Sequence, residues 1–209
     1  MKIGFQINLD VKDRACLVVG GEGEAAEKTN RLLEAGAKVT IVSPKLNDEL
    51  KGLAASARIL HRGRRFKGSD VDGGVWLVMN TVKTDEVLSR DLFNLARQKG
   101  FLLCSTDQPD YSTFTMPALV ARGPLRIAIS TSGVSPALAS RLRQDLEPVF
   151  DERFEVFLEY LDAYRAHLQD TETNVEKRHQ LLRDTVSKVK LQAKIEFPKV
   201  ERKAEEKGA

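Results

Sequence analysis

The stretch Ala15–Val42, ACLVVGGEGEAAEKTNRLLEAGAKVTIV, decides the fold. Ala15–Val19 is an apolar run of the length of a strand buried on both faces. Gly20, Gly21 and Gly23 follow at once. Ala25, Ala26, Leu32, Leu33 and Ala35 then recur at helical spacing, and Gly36 stands where a glycine ends a helix. Lys38–Val42 supplies the next strand. Strand, glycine turn, helix and strand make the βαβ opening of a dinucleotide-binding fold, in which a pyrophosphate rests on the amides of a helix N-terminus. Counted from Gly20, the pattern G-x-G-x-x-G/A meets Glu22 where the second glycine belongs and closes on Ala25. Counted from Gly21, it is completed by Gly23 and Ala26. Both registers are open, as is the plainer reading of a tight turn that binds nothing. A glutamate beside a pyrophosphate repels it unless the side chain turns away.

Composition bounds what surrounds this unit. The 209 residues, 42% hydrophobic and 30% charged, suit one sizeable domain with an extension, or two small domains. Basic and acidic residues number 33 and 30, a net charge of +3, which argues for no bulk nucleic-acid binding and suits an anionic small molecule. Cys16 and Cys104 both sit in apolar runs, as buried reduced thiols of a cytoplasmic protein do. The opening MKIGFQINLD has no apolar core of a signal peptide, and no run approaches the ~20 apolar residues of a membrane span. His61, His167 and His179 form no ligand cluster, so no resident metal is expected.

Strand and helix patterns continue to alternate. A helix is predicted over Asn47–Ala55, a strand over Ala57–His61, a strand over Gly74–Met79, an amphipathic helix over Asp85–Lys99 stopped by Gly100, and a strand over Phe101–Cys104. That alternation predicts an α/β, Rossmann-like, doubly wound parallel sheet, whose ligands bind beyond the carboxyl ends of the strands. Gly20–Gly23, Ser43, Thr81 and Asp107 all fall there. The basic loop Arg62–Lys67, RGRRFK, reads either as a solvated loop or as a contact for substrate carboxylates.

From Thr113 the pattern changes. Thr113–Ala121 and Pro124–Ser130 are strand-like runs about the turn signal Arg122-Gly123. Ser135-Pro136 starts a helix that runs to about Leu146. Such a hairpin cannot bury both faces on one small helix, so it is expected to meet a symmetric partner in a homodimer. Beyond Asp151, Phe154, Phe157, Leu158, Leu161 and Tyr164 make one helical stripe, and a second helix is predicted from about Thr173 to Ala193. The domain reading is therefore 1–112 nucleotide-binding, 113–150 dimerisation hairpin and helix, 151–193 C-terminal helices and 194–209 a charge-rich, disordered tail.

Taken in order, LDVKDR, VVGGEGEAAEK, EAGAKVTIVSP, CSTDQPD and FTMPALVARGPLRIAISTSGVSPALA resemble the precorrin-2 dehydrogenase/sirohydrochlorin ferrochelatase family, the N-terminal module of siroheme synthase. The likeness covers about Leu9 to Leu146. It implies NAD-dependent oxidation of precorrin-2 to sirohydrochlorin, and in some members insertion of ferrous iron, there a substrate. It places Gly20, Gly21, Gly23, Glu24 and Ala25 in the nucleotide loop, with Glu22 among them as a further cofactor-binding candidate, and Ser43, Pro44 and Lys45 where the loop nears the adenosine ribose. Thr81 takes the position of the family's threonine after the fourth strand. Asp107 takes that of the aspartate needed for chemistry, with a loop cap before Pro109 as the structural alternative. The family usually has glycine at Glu22 and asparagine at Cys104 and, in some members, serine at Thr131. Arg122, Arg126 and Arg141 are candidates for the carboxylates of the tetrapyrrole, with plain surface pairing as the alternative for each. No acid ends the second strand, so NAD rather than NADP rests on the resemblance alone. A non-catalytic tetrapyrrole- or nucleotide-binding protein is the reading from another class.

Overall fold

The computed structural model describes residues 4–192 and 194–196. Five strands, β1 (Ala15–Val19), β2 (Lys38–Val42), β3 (Leu60–Arg62), β4 (Leu77–Asn80) and β5 (Leu102–Ser105), form one sheet in the order β3-β2-β1-β4-β5. Every pairing is parallel, with Val19 opposite Val42 on one side and Asn80 on the other. The sheet is the Rossmann-like one expected. Its order reverses between β1 and β4, so the crevice of such a fold opens over Gly20–Gly23 and Thr81.

Burial on both faces explains the unbroken apolar strands. Cys16, Val18, Val39, Ile41, Met79 and Cys104 pack with Ala25 and Ala26 of α1 (Gly23–Glu34) and Leu50 of α2 (Asp48–Ala55). Leu17, Val19, Val42, Val78 and Leu103 pack with Leu92 and Ala96 of α3 (Glu86–Lys99). Each fully buried Leu or Val contributes about 1.5–3 kcal/mol.

Helix ends follow local chemistry. Gly36, at φ +80°, closes α1 by donating to Leu33 O while Ala37 donates to Leu32 O. Asn47 and Asp85 cap α2 and α3 with their side chains. The expected strand Ala57–His61 is a strand only from Leu60. Ala57 takes φ +56° and, with Arg58, bonds back to Ala54 O and Leu53 O, so these residues finish α2 instead. The expected strand Gly74–Met79 starts at Leu77, after Gly73 and Gly74, both at positive φ.

The hairpin β6 (Ala118–Arg122) and β7 (Leu125–Ile129) turns at Gly123-Pro124, one residue later than expected. Ser135 caps α4 (Pro136–Leu146) by accepting from Leu138 N. The strand-like run before the hairpin is partly loop: Ser112 and Thr113 bond the edge of β5 at Ser105 N and Leu103 N. Contacts group the chain into two compact units, residues up to Val120 with Ile127–Leu146, and Ala121–Arg126 with the described residues from Glu147. The second unit holds α5 (Glu152–Thr171) and α6 (Val175–Val186), with a ladder of ring contacts from Phe150 through Phe154, Phe157 and Tyr160 to Tyr164. α6 ends at Val186; Ala193 and residues 197–209, where the helix end and most of the tail were expected, lie outside the described residues. Among the described residues no helix is long and apolar enough to cross a membrane.

Candidate nucleotide and substrate site

Gly20 and Gly21 are required by packing. Gly20 has φ +119°, and a Cβ there would stand 2.2 Å from Thr81 Oγ1. Thr81 is held in place because its Oγ1 and N both donate to Val19 O at 2.9 Å. A Cβ on Gly21 would meet Lys45 O at 1.9 Å and Ser43 Oγ at 2.7 Å. The Ser43-Pro44-Lys45 turn is tied under it: Ser43 Oγ donates to Lys45 O (2.7 Å), and Asn47 N donates to Gly21 O (2.8 Å).

Gly23 serves a different end. It is the first residue of α1, and nothing lies within 4 Å of a Cβ built on it. The helix's first acceptor, Glu22 O, takes the N–H of Ala26, so the amides before Ala26 have no intrahelical partner. Open space and outward amides at a positive helix end fit the diphosphate of a dinucleotide. Glu22 is the N-cap residue, with extended backbone (φ −98°, ψ −170°) and an exposed side chain that caps nothing. That backbone suits any L-residue, so the glycine of the family pattern is dispensable there on conformational grounds.

The end of β4 is fixed by a buried amide. Asn80 Nδ2 donates to Ser89 Oγ (3.0 Å), and its Oδ1 accepts from Val82 N (3.1 Å). Asn80 O accepts from Thr106 N (2.8 Å), which joins the loops after β4 and β5. Gln108 Nε2 donates to Lys83 O (2.8 Å) and joins them again.

Asp107 stands in the turn after β5, with φ +60° and its side chain 71% exposed. Lys83 Nζ lies 2.6 Å from its Oδ2 and 3.4 Å from Glu24 Oε2. Lys28 Nζ lies 3.2 Å from Glu24 Oε1. A chain of alternating charge therefore runs from α1 to Asp107. The hydrogen bond to Asp107, helped by Glu24, raises the Lys83 amine above its ordinary range. The structure thus brings the nucleotide loop, the Ser43–Lys45 turn, Thr81 and Asp107 to one end of the sheet.

Cys104 lies in the core, and burial pushes its thiol pKa up. Burial likewise raises Cys16, to about 11. Both are packing residues. The candidate arginines are engaged locally. Arg122 Nε donates to Phe150 O (2.8 Å), Arg126 donates to Gly123 O and Leu125 O, and Arg141 pairs with Asp145 at 2.9 Å along α4. Arg122 and Arg126 belong to the second unit, Arg141 to the first.

In the basic loop, Arg62 and Arg64 both bond the carboxylate of Asp70, which is 2% exposed. Arg64 first, aided by Lys67 N and Arg62, holds that carboxyl well below the usual carboxylate range. These two arginines form an internal ion cluster. Among the described residues, no group of three or more His, Cys, Asp or Glu is placed to hold a metal ion.

Lys83, Lys28 and Asn80 are absent from the candidates read off the sequence. Lys83 follows Asn80-Thr81 at a strand's carboxyl end, the one signal that marks it.

The family model described as "Putative NAD(P)-binding" matches residues 7–118, and "Sirohaem biosynthesis protein central" matches 122–147. The siroheme synthase of Thioalkalivibrio sulfidiphilus is 37% identical over 172 residues, 80% of this chain and 35% of that protein. That of Nitrosomonas eutropha is 33% identical over 175 residues, 83% of this chain and 36% of that protein. The chain thus spans about a third of the length of the curated relatives it matches. Among solved structures, SirC, a precorrin-2 dehydrogenase, superposes with a TM-score of 0.76 at 24% identity, over 88% of this chain and 89% of that one, a likeness of fold.

Proposed function

Because this chain belongs to the NAD(P)-binding family of siroheme synthesis, we propose that it oxidises precorrin-2 to sirohydrochlorin with NAD. The observation that carries the reading is one exposed carboxylate, Asp107, at the same end of the sheet as the open glycine loop and bridged to it through Lys83. The reaction removes two electrons and two hydrogens from a reduced macrocycle. NAD, when bound, would supply the hydride acceptor for one of these hydrogens. The other leaves as a proton, and Asp107 collects it. Gly23 and the first amides of α1 hold the diphosphate; Ser43-Pro44-Lys45 flanks the adenosine ribose; Thr81 closes the floor over Gly20. Arg122, Arg126 and Arg141 recognise carboxylates of the tetrapyrrole, and the 113–150 segment pairs two copies in a cytoplasmic homodimer. Ferrous iron enters as a second substrate if the same carboxylate also accepts pyrrole N–H protons.

Anaerobic incubation with precorrin-2 and NAD, followed by absorbance with and without ferrous iron, tests this. Sirohydrochlorin and NADH appearing together support the dehydrogenase, and siroheme formed only with iron adds the chelatase. Spectral binding without turnover favours a non-catalytic tetrapyrrole-binding protein.

A further inference from the structure

The carboxylate proposed as base is not free. Lys83 holds it at 2.6 Å while reaching Glu24, in the first turn of α1, at 3.4 Å. The same turn is where the dinucleotide's diphosphate belongs, and Glu22 and Glu24 bring negative charge to it. Lys28 lies against Glu24 and Glu27 on the helix itself. Lys83 comes from the neighbouring strand's loop, its side chain 44% exposed on a flexible four-carbon stem. Its backbone is anchored by Gln108, and the loop by Asn80. An ammonium on a flexible stem, placed between two anionic sites, is the geometry of a partner exchange.

We propose that Lys83 changes partners when the cofactor binds: its ammonium leaves Asp107 for the diphosphate, and Asp107 is released as base only in the cofactor-loaded protein. The inference rests on the NAD-dependent reading above and adds Lys83 as a positioning residue that couples the two halves of the site. The exchange replaces one exposed ion pair by another. It also offsets the charge of Glu22 and Glu24, which would otherwise oppose the diphosphate.

Linkage supplies the test, because Asp107 and the diphosphate then compete for one ammonium. NAD affinity is measured by calorimetry at low salt for wild type, Lys83→Met, Asp107→Asn and the double variant, with thermal melts to check folding. Asparagine tolerates the positive φ at position 107. Lys83→Met weakens NAD about tenfold, the scale of one charge-assisted hydrogen bond. Asp107→Asn tightens NAD about two- to fivefold, the scale of one exposed ion pair relinquished. In the Lys83→Met background that tightening disappears. No tightening, or the same tightening in both backgrounds, overturns the exchange while leaving the dehydrogenase reading intact. A wild-type chain that does not bind NAD overturns both.

Discussion

Asp70 and Asp107 are each held by basic side chains, and they teach opposite lessons. Asp70 is 2% exposed and locked by two guanidinium groups and a backbone amide. Asp107 is 71% exposed and held by one lysine at the open end of the sheet. A buried carboxylate with several fixed donors is structure, because removing it leaves two guanidinium groups and a backbone amide without their shared acceptor. An exposed carboxylate with one mobile partner contributes little to stability, and its position is kept available for chemistry.

The contrast is sharpest in stability. Asp70→Ala is expected to cost about 3 kcal/mol, the low end for breaking a buried pair because the arginine heads reach water. A thermal melt should show Tm lower by about 6–12 °C. Asp107→Asn should leave Tm within about 2 °C of wild type; a larger fall would break the distinction.

Acid separates the two sites next. The folded-state pKa of Asp70 is depressed, so its contribution is fully present above the unfolded-state value of about 3.9. It is lost as pH falls below that value toward the lower folded-state one. The stability gap between wild type and Asp70→Ala, measured by urea unfolding, should be constant from about pH 7 to pH 5 and shrink below about pH 4. A gap that widens with acid would show that Asp70 is not ionised in the fold.

The smallest effect belongs to Glu22. Its exposed carboxylate lies at the helix end that takes the diphosphate, so Glu22→Gln should tighten NAD about twofold and lose that gain in high salt. Tightening beyond about tenfold would mean that Glu22 occupies the cofactor's place.

What the sequence revealed follows from range. Strands Ala15–Val19 and Lys38–Val42 keep their predicted bounds because an apolar run between turn residues is a local signal. So are the Gly36 and Gly100 helix stops and the Ser135-Pro136 start. Ala57 in a left-handed conformation was illegible, since glycine is the residue that advertises that turn. The hairpin turn shifted by a residue because Arg122 remains in its strand. In RGRRFK nothing announces that two arginines bond an aspartate beyond the loop. Lys83 was illegible for a related reason: its partners Asp107 and Glu24 belong to other elements, and only the parallel order β1-β4-β5 brings them together.

The most direct test of Asp107 is a single anaerobic turnover of precorrin-2 by the Asp107→Asn chain, preloaded with saturating NAD and compared with wild type. The variant is expected to bind NAD and precorrin-2 yet to form NADH at least a hundredfold more slowly, with an unchanged melt. NADH appearing at the wild-type rate would contradict it.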